Sequence, residues 1–325
     1  MKSRLHQFFP MAAVVVVLGT LSVGLLDTTA WSQMARTIRI IVPFPPGRTA
    51  DSLIRLLAEQ IDRAQIASAI VDNRPGSGTA TDAASRAAPT GNTVLLYSNE
   101  SVIDPHLRKV NYDPLTSFEP ICRLVSSPVV YSVSSASPYR TLADLLEAAR
   151  TSPLTLAASG PASPLHIGFE ILKRAAKVDM TFVPFPAAAP AISAVLRTQV
   201  TTVLTTYSEA SDQVKAGKLR VLAVASPKRL EELPDVPTVD ELGYKGYELD
   251  IWYGLVAPAR TPDRTIALLA DWFTTAVQAP EMRAKLAALG LKPATMCGTE
   301  FGLLLRKQYE DYGRIIREAN IKAEI

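Results

Sequence analysis

The chain has 325 residues and sets 34 lysines and arginines against 31 aspartates and glutamates, for a formal net charge of +3. A balance this even makes no one-signed surface field, which excludes nucleic acid as a partner. Cys122 and Cys297 are too few for a disulfide framework, and no metal-ligand spacing exists, so neither a metal nor another cofactor is expected.

Residues 1 to 32 read as an export signal. Lys2 and Arg4 make a basic start, Met11 to Leu26 form an apolar core, and small residues follow as far as Ala30 or Ser32. The competing reading is an uncleaved anchor, which Gly19, Thr20, Ser22 and Gly24 weaken. The remaining stretch of about 290 residues is enough for two lobes or one large α/β domain.

Apolar periodicity then alternates between strand and helix. Thr37–Val42 reads as a strand, and Ser52–Arg63 as a helix with Leu53, Leu56, Leu57 and Ile61 on one face. Ser68–Asp72 is a strand, residues 73–78 a glycine-rich loop, Thr81–Ala88 a helix and Thr93–Tyr97 a strand. Such a β-α-β-α-β unit requires parallel strands with crossovers. A second series begins with strand Val129–Val133, helix Thr141–Thr151, strand Leu154–Ala158, helix Pro164–Ala176 and strand Met180–Val183. It continues through helix Pro190–Thr198, strand Val200–Leu204, helix Glu209–Ala216 and strand Leu219–Ala225. Pro227 to Gly246 is rich in loop residues, Ile251–Ala257 is another strand, and the remainder reads as helices at Asp263–Gln278, Pro280–Leu289 and Glu300–Ala319. The two cysteines are either joined or two small buried hydrophobes.

In open parallel sheets, ligands lodge beyond the carboxyl ends of the strands, where helix N-termini leave backbone N–H groups unpaired and present partial positive charge. Three groups of residues sit at such places. The first is Pro46-Gly47-Arg48-Thr49. Thr49 is placed to cap the following helix, Gly47 to let the backbone approach a ligand, and Arg48 to clamp a carboxylate. An ordinary capped turn and a solvated arginine explain the same residues.

The second group runs from Ser159 and Gly160 to Ser163, Pro164 and His166. Serine followed by proline is a strong helix start, and that alone accounts for both residues. His166, with no paired nucleophile, fits a structural role better than a catalytic one. The third group comprises three strand ends: Tyr97-Ser98-Asn99-Glu100-Ser101, Pro184-Phe185-Pro186, and Thr205-Thr206-Tyr207-Ser208. Their polar groups would hold ligand atoms, while Phe44, Phe185 and Tyr207 would wall in an apolar body. Nucleophile elbows, zinc-protease motifs and phosphate-loop lysines are missing, and only His106 and His166 remain beyond the signal, so no enzyme and no catalytic residue is expected.

Several segments carry a family resemblance. They are Val42-Pro43-Phe44-Pro45-Pro46-Gly47 with Asp51, Asp72 to Gly78, Ile103-Asp104-Pro105, Tyr112-Asp113-Pro114, Lys215 to Arg220, Leu233 to Val239, and Trp252-Tyr253-Gly254-Leu255. In order and spacing they resemble the Bug family, the substrate-binding proteins of tripartite tricarboxylate transporters, across the whole mature chain. The resemblance implies a periplasmic protein that closes two lobes on a small carboxylate and passes it to membrane permease subunits, in transient contact, or to a sensor ectodomain. It also implies that Pro46 to Thr49 and Ser159 to His166 grip the ligand's carboxylate groups.

The chain departs from the family at several polar anchors. Arg48 stands where a second glycine is usual, Ala162, Pro164 and Leu165 where small polar residues are common, Phe185-Pro186-Ala187-Ala188 for Tyr-Lys-Gly-Ser, and Thr205 for an aspartate. Their loss argues for an aromatic or medium-chain aliphatic carboxylate rather than citrate. The expected architecture is α/β, a type II periplasmic binding protein with two α/β lobes around a central ligand cleft, acting as a monomer. Residues 33–125 and 226–325 would form lobe one, with the C-terminal helices, and 126–225 lobe two. The crossings near Leu124–Pro128 and Ala223–Ser226 would form the hinge. The rival reading is a ligand sensor that docks on a signalling receptor in its closed form; an exported hydrolase is weaker still.

Overall fold

A computed structural model describes residues 37–322, so the export signal read over residues 1 to 32 lies outside the described residues. The chain opens with β1 (Thr37–Val42), whose Ile38, Ile40 and Val42 face one side and Ile41 the other, all buried. A strand covered on both faces has to be apolar on both. Helix α1 (Thr49–Arg63) follows, burying Leu53, Ile54, Leu57 and Ile61. It starts earlier than Ser52, with Arg48 as N-cap and Thr49 as its first residue, so Thr49 does not cap it. Asp51 serves the turn instead: its Oδ2 accepts the Gly47 N–H at 2.8 Å, and Gly47 sits at φ +82°, a conformation that favours glycine.

Then come β2 (Ser68–Asn73), α2 (Ser77–Ser85), β3 (Thr93–Ser98) and α3 (Asn99–Leu107). Helix α2 begins at Ser77 rather than Thr81, and α3 was not expected. Next is β4 (Phe118–Ser134), a strand of 17 residues of which the sequence pattern had marked only Val129–Val133. The second series is α4 (Leu142–Ala148), β5 (Leu154–Ser159), α5 (Pro164–Ala176), β6 (Met180–Phe185), α6 (Ala188–Leu196), β7 (Thr202–Thr206), α7 (Tyr207–Lys215) and β8 (Leu219–Val224). The chain closes with β9 (Asp250–Pro258), α8 (Asp263–Gln278), α9 (Met282–Ala288), β10 (Lys292–Cys297) and α10 (Gly298–Glu318).

The strands form one hydrogen-bonded array in the order β2-β1-β3-β9-β4-β7-β5-β6, with β8 and β10 also paired to β4. Strands β1, β2 and β3 are parallel, as are β5, β6 and β7, while β4 and β9 run antiparallel to their neighbours. The first part of β4 pairs with β9 and β10 and its last part with β7 and β8, so one strand belongs to two sheets. Each sheet has a core on either face. Around the first, α1 and α8 pack on one side and α3 and α10 on the other; around the second, α4 and α5 oppose α6 and α7.

Residues 226–249, placed with lobe one from the sequence, pack on the second sheet: Val239, Tyr247 and Leu249 join the cluster of Tyr131 and Phe169, and the Val224 N–H donates to the Pro237 carbonyl. Cys122 and Cys297 form a disulfide between register partners on β4 and β10.

Asp250, where the chain returns to the first sheet, is buried and accepts a hydrogen bond from Ser226 Oγ. Burial pushes its carboxyl up to about 6, with Glu248 adding to the rise and Ser226 and Arg123 opposing it. A folded-state value above the unfolded one means that the native protein binds the extra proton between the two. Stability therefore falls as pH rises from about 4 to about 6, with a total on the order of 2–3 kcal/mol from this group. Urea melts of the wild type and Asp250→Asn should show the wild type gaining on the variant as pH is lowered from about 7 to about 5. Parallel curves would assign the burial penalty elsewhere.

Candidate ligand cleft

Four helices begin at the ends of strands around one cleft of about 310 Å³. From the first sheet come Phe44, Arg48 and Thr49 at the start of α1 and Ser98, Asn99 and Glu100 at the start of α3. From the second come Ser159, Ser163, Pro164 and Leu165 at the start of α5 and Thr206, Ser208 and Glu209 at the start of α7. Ser127, Ile251, Tyr253, Leu289 and Leu291 complete the wall from the crossing strands β4 and β9 and the turn before β10. Each helix start leaves first-turn amides that no helical carbonyl can reach.

The four starts differ in what already occupies them. Helix α1 carries Asp51 in its first turn, α3 carries Glu100 and α7 carries Glu209, whereas α5 carries no acid. Asp51 is buried; desolvation alone would raise its carboxyl, but bonds from Arg55, the Gly47 amide and Asn73 outweigh it and hold the group below its ordinary value. Glu209 accepts from Thr205 Oγ1 at 2.6 Å, Thr206 Oγ1 at 2.8 Å and the Thr206 amide at 3.3 Å. Helix α5 is capped without charge: Ser163 Oγ accepts the His166 N–H at 3.2 Å and donates to the Ser159 carbonyl at 2.9 Å. Pro164 has no N–H, so the amides of Ser163 and Leu165 are those left without a partner at this end, among the described residues. Positive helix potential that no side chain of the helix neutralises makes α5 the strongest anion seat of the four.

Of the residues singled out from the sequence, Phe44, Arg48, Thr49, Ser98, Asn99, Ser159 and Ser163 are brought together in the cleft wall. Asn99 is also a tie: its amide donates to the Asp250 carbonyl and to Tyr312 Oη, and its Oδ1 accepts the Trp252 N–H. Pro46 and Gly47 lie outside the wall, and the Gly47 amide is turned to Asp51 rather than toward a ligand. Gly160 is likewise outside, its N–H donating to the Phe185 carbonyl.

His166 stacks on Phe182 with centroids 3.9 Å apart, and its Nδ1 accepts the Ala162 N–H, which places its proton on Nε2. Burial, with Lys173 adding to the effect, lowers it to about 4, so the ring is neutral at pH 7 and brings no charge to the cleft. Phe185 packs against the core under α6, Thr205 is buried and bonded to Glu209, and Tyr207 is buried in the same core. None of these three lines the cleft, because β7 and α7 turn Thr206 and Ser208 toward it instead.

Glu100, Thr206 and Ser208, which belong to the strand-end group, also line the cleft, whereas sequence reasoning passed over Ser127, Glu209, Ile251, Tyr253, Leu289 and Leu291 as site residues. Tyr253 had a signal, lying in one of the motifs that carried the resemblance. It meets Phe44 edge to face at 6.3 Å, and burial, then Glu100, pushes its phenol up to about 12, so it stands as a neutral donor.

The model of the family described as tripartite tricarboxylate transporter family receptor (TctC) matches residues 53–321. The chain belongs to this family. A protein from the tcbD–tcbE intergenic region of Pseudomonas sp. strain P51 is 30% identical to this TctC-family chain, covering 89% of it and 88% of the relative. A TctC solute-binding protein from Polaromonas, solved without ligand, superposes with a TM-score of 0.82 at 25% identity, covering 88% of this chain and 100% of that one. The periplasmic binding protein BugD superposes at 0.65 with 28% identity, over 89% and 99% of the two chains. Two relatives were solved with ligands. Rpa4515 from R. palustris, with adipate, has a TM-score of 0.68 at 26% identity and coverages of 90% and 99%. MatC from Rhodopseudomonas palustris, with malate, has 0.63 at 25% identity and coverages of 86% and 99%. The α/β fold of periplasmic binding proteins and a non-enzymatic receptor family thus agree with the expectation from sequence.

Proposed function

We propose that this TctC-family receptor works in the periplasm, capturing a small carboxylate with an aromatic or medium-chain aliphatic body and delivering it to a tripartite tricarboxylate-type permease. The observation that carries the reading is the convergence of four helix starts on one cleft, with the start of α5 free of any acid of its own. The solute's carboxylate rests on the Ser163 and Leu165 amides, with Arg48 as a cationic contact from the facing half. Phe44, Ile251, Tyr253, Leu289 and Leu291 enclose its body. Contacts from both halves stabilise a closed form over an open one, which is how a solute drives closure. Micromolar capture requires about 8 kcal/mol in total, within reach of a few charge-assisted bonds and a buried apolar body. Adipate and malate in two relatives support the carboxylate class.

Native mass spectrometry of the purified protein identifies what it carries, and a thermal-shift panel of carboxylates ranks candidates. Stabilisation by citrate and other short polyacids alone would overturn the apolar body. Arg48→Ala is expected to weaken binding of the best ligand by about tenfold, or 1.4 kcal/mol; an unchanged dissociation constant would remove Arg48 from the site.

A further inference from the structure

The cleft holds two carboxylates, and they are not equivalent. Glu209 is engaged by two threonine hydroxyls and a backbone amide. Glu100, in the first turn of α3, lines the cleft and accepts no hydrogen bond among the described residues. Its side chain is exposed to the open cleft; desolvation by the surrounding walls, then Asp104, raise its carboxyl, and Arg48 and Arg108 oppose the rise. No ion pair joins Arg48 to Glu100 among the described residues.

An ionised carboxylate accepts hydrogen bonds and donates none. In an open cleft, water supplies the donors. Once a solute fills the cleft that water is displaced, and a solute without a donor leaves Glu100 charged and unpaired, a costly state in a low-dielectric site. A second carboxylate placed beside it would be repelled as well. The charge-free seat at α5 lies on the second half and Glu100 on the first, so the two walls of the cleft ask for opposite chemistry. We infer that the solute is a carboxylate that also carries a hydroxyl or ammonium group, which donates to Glu100 while the carboxylate occupies the start of α5. This rests on the function proposed above and narrows its substrate class.

Matched pairs test it by calorimetry on the full exported protein: aminohexanoate and hydroxyhexanoate against hexanoate and adipate, and para-hydroxybenzoate and para-aminobenzoate against benzoate and terephthalate. In at least one pair the donor-bearing member should bind about tenfold or more tighter. Glu100→Gln, which removes the charge and keeps the shape, should cut the preference for an ammonium by about tenfold; Glu100→Leu should erase the preference for either donor. Thermal melts confirm that each variant folds, and Glu100→Gln suffices alone if the leucine variant does not. Equal binding of donor-bearing and donor-free members, tighter binding of donor-free acids, or a preference that survives both substitutions would overturn the inference and leave the carboxylate receptor standing. Failure of every carboxylate to bind would instead overturn the receptor reading.

Discussion

Ser163→Asp is expected to abolish solute capture and leave the fold intact. Aspartate is as good an N-cap as serine and can accept the His166 N–H in the same way. It cannot donate to the Ser159 carbonyl as Ser163 Oγ does, a loss of about 1 kcal/mol that a negative charge at the helix start offsets. The same charge fills the one helix start in the cleft that carries no acid. Two unit charges about 4 Å apart at an effective dielectric near 20 repel by about 4 kcal/mol, so affinity for any carboxylate should fall by at least about a hundredfold. Ser163→Asn, which caps without charge, should bind within a fewfold of wild type. Calorimetry with the best ligand of the panel settles the matter: an aspartate variant that binds as tightly as the asparagine variant would show that the anion does not sit at α5.

The second large effect concerns stability. Cys122→Ala/Cys297→Ala, or reduction with dithiothreitol, is expected to cost roughly 2–5 kcal/mol and to lower Tm by about 5–10 °C. The disulfide closes a sequence separation of 175 residues, for which chain entropy sets an upper figure of about 5 kcal/mol. What it holds is the short strand β10, tied to the middle of β4. An oxidising compartment keeps such a bond formed. A Tm that does not respond to reductant would show that pairing and packing alone hold β10 in place.

How far these features were legible differs by element. Helices α5 and α8 came out at their bounds because Ser163-Pro164 and Pro262-Asp263 are local start signals that tertiary packing does not need to override. Helix α3 was missed because Asn99-Glu100-Ser101 reads as loop and Pro105 interrupts it; what secures it is long-range, the bond from Asn99 to Tyr312 on α10. The first part of β4 contains Pro120 and Pro128, which mask its strand pattern, and only a hinge crossing near Leu124–Pro128 was expected there, yet β9 and β10 pair along it. Strand β10 has no apolar alternation of its own to find. In the cleft, the rule that ligands sit at strand ends located Ser98, Ser159 and Ser163. It misplaced Thr205 and Tyr207 because alternation turns successive residues to opposite sides, and α7 begins before the expected Glu209. Ile251, Leu289 and Leu291 reach the cleft from elements distant in sequence, and no local pattern marks them.

The undivided course of β4 limits what the molecule can do mechanically. Within three residues its partners change, from Ile251 and Asp250 opposite Ser127 and Pro128 to Thr206 opposite Val129. A pivot made of slack chain could swing through any angle at little cost. Here rotation of one half against the other is absorbed as torsion along a continuous strand, which is paired on both margins before and after the crossing and with β9 alone at Ser127 and Pro128. Twist is therefore expected to concentrate at Ser127 and Pro128, the two residues of the crossing held from one side.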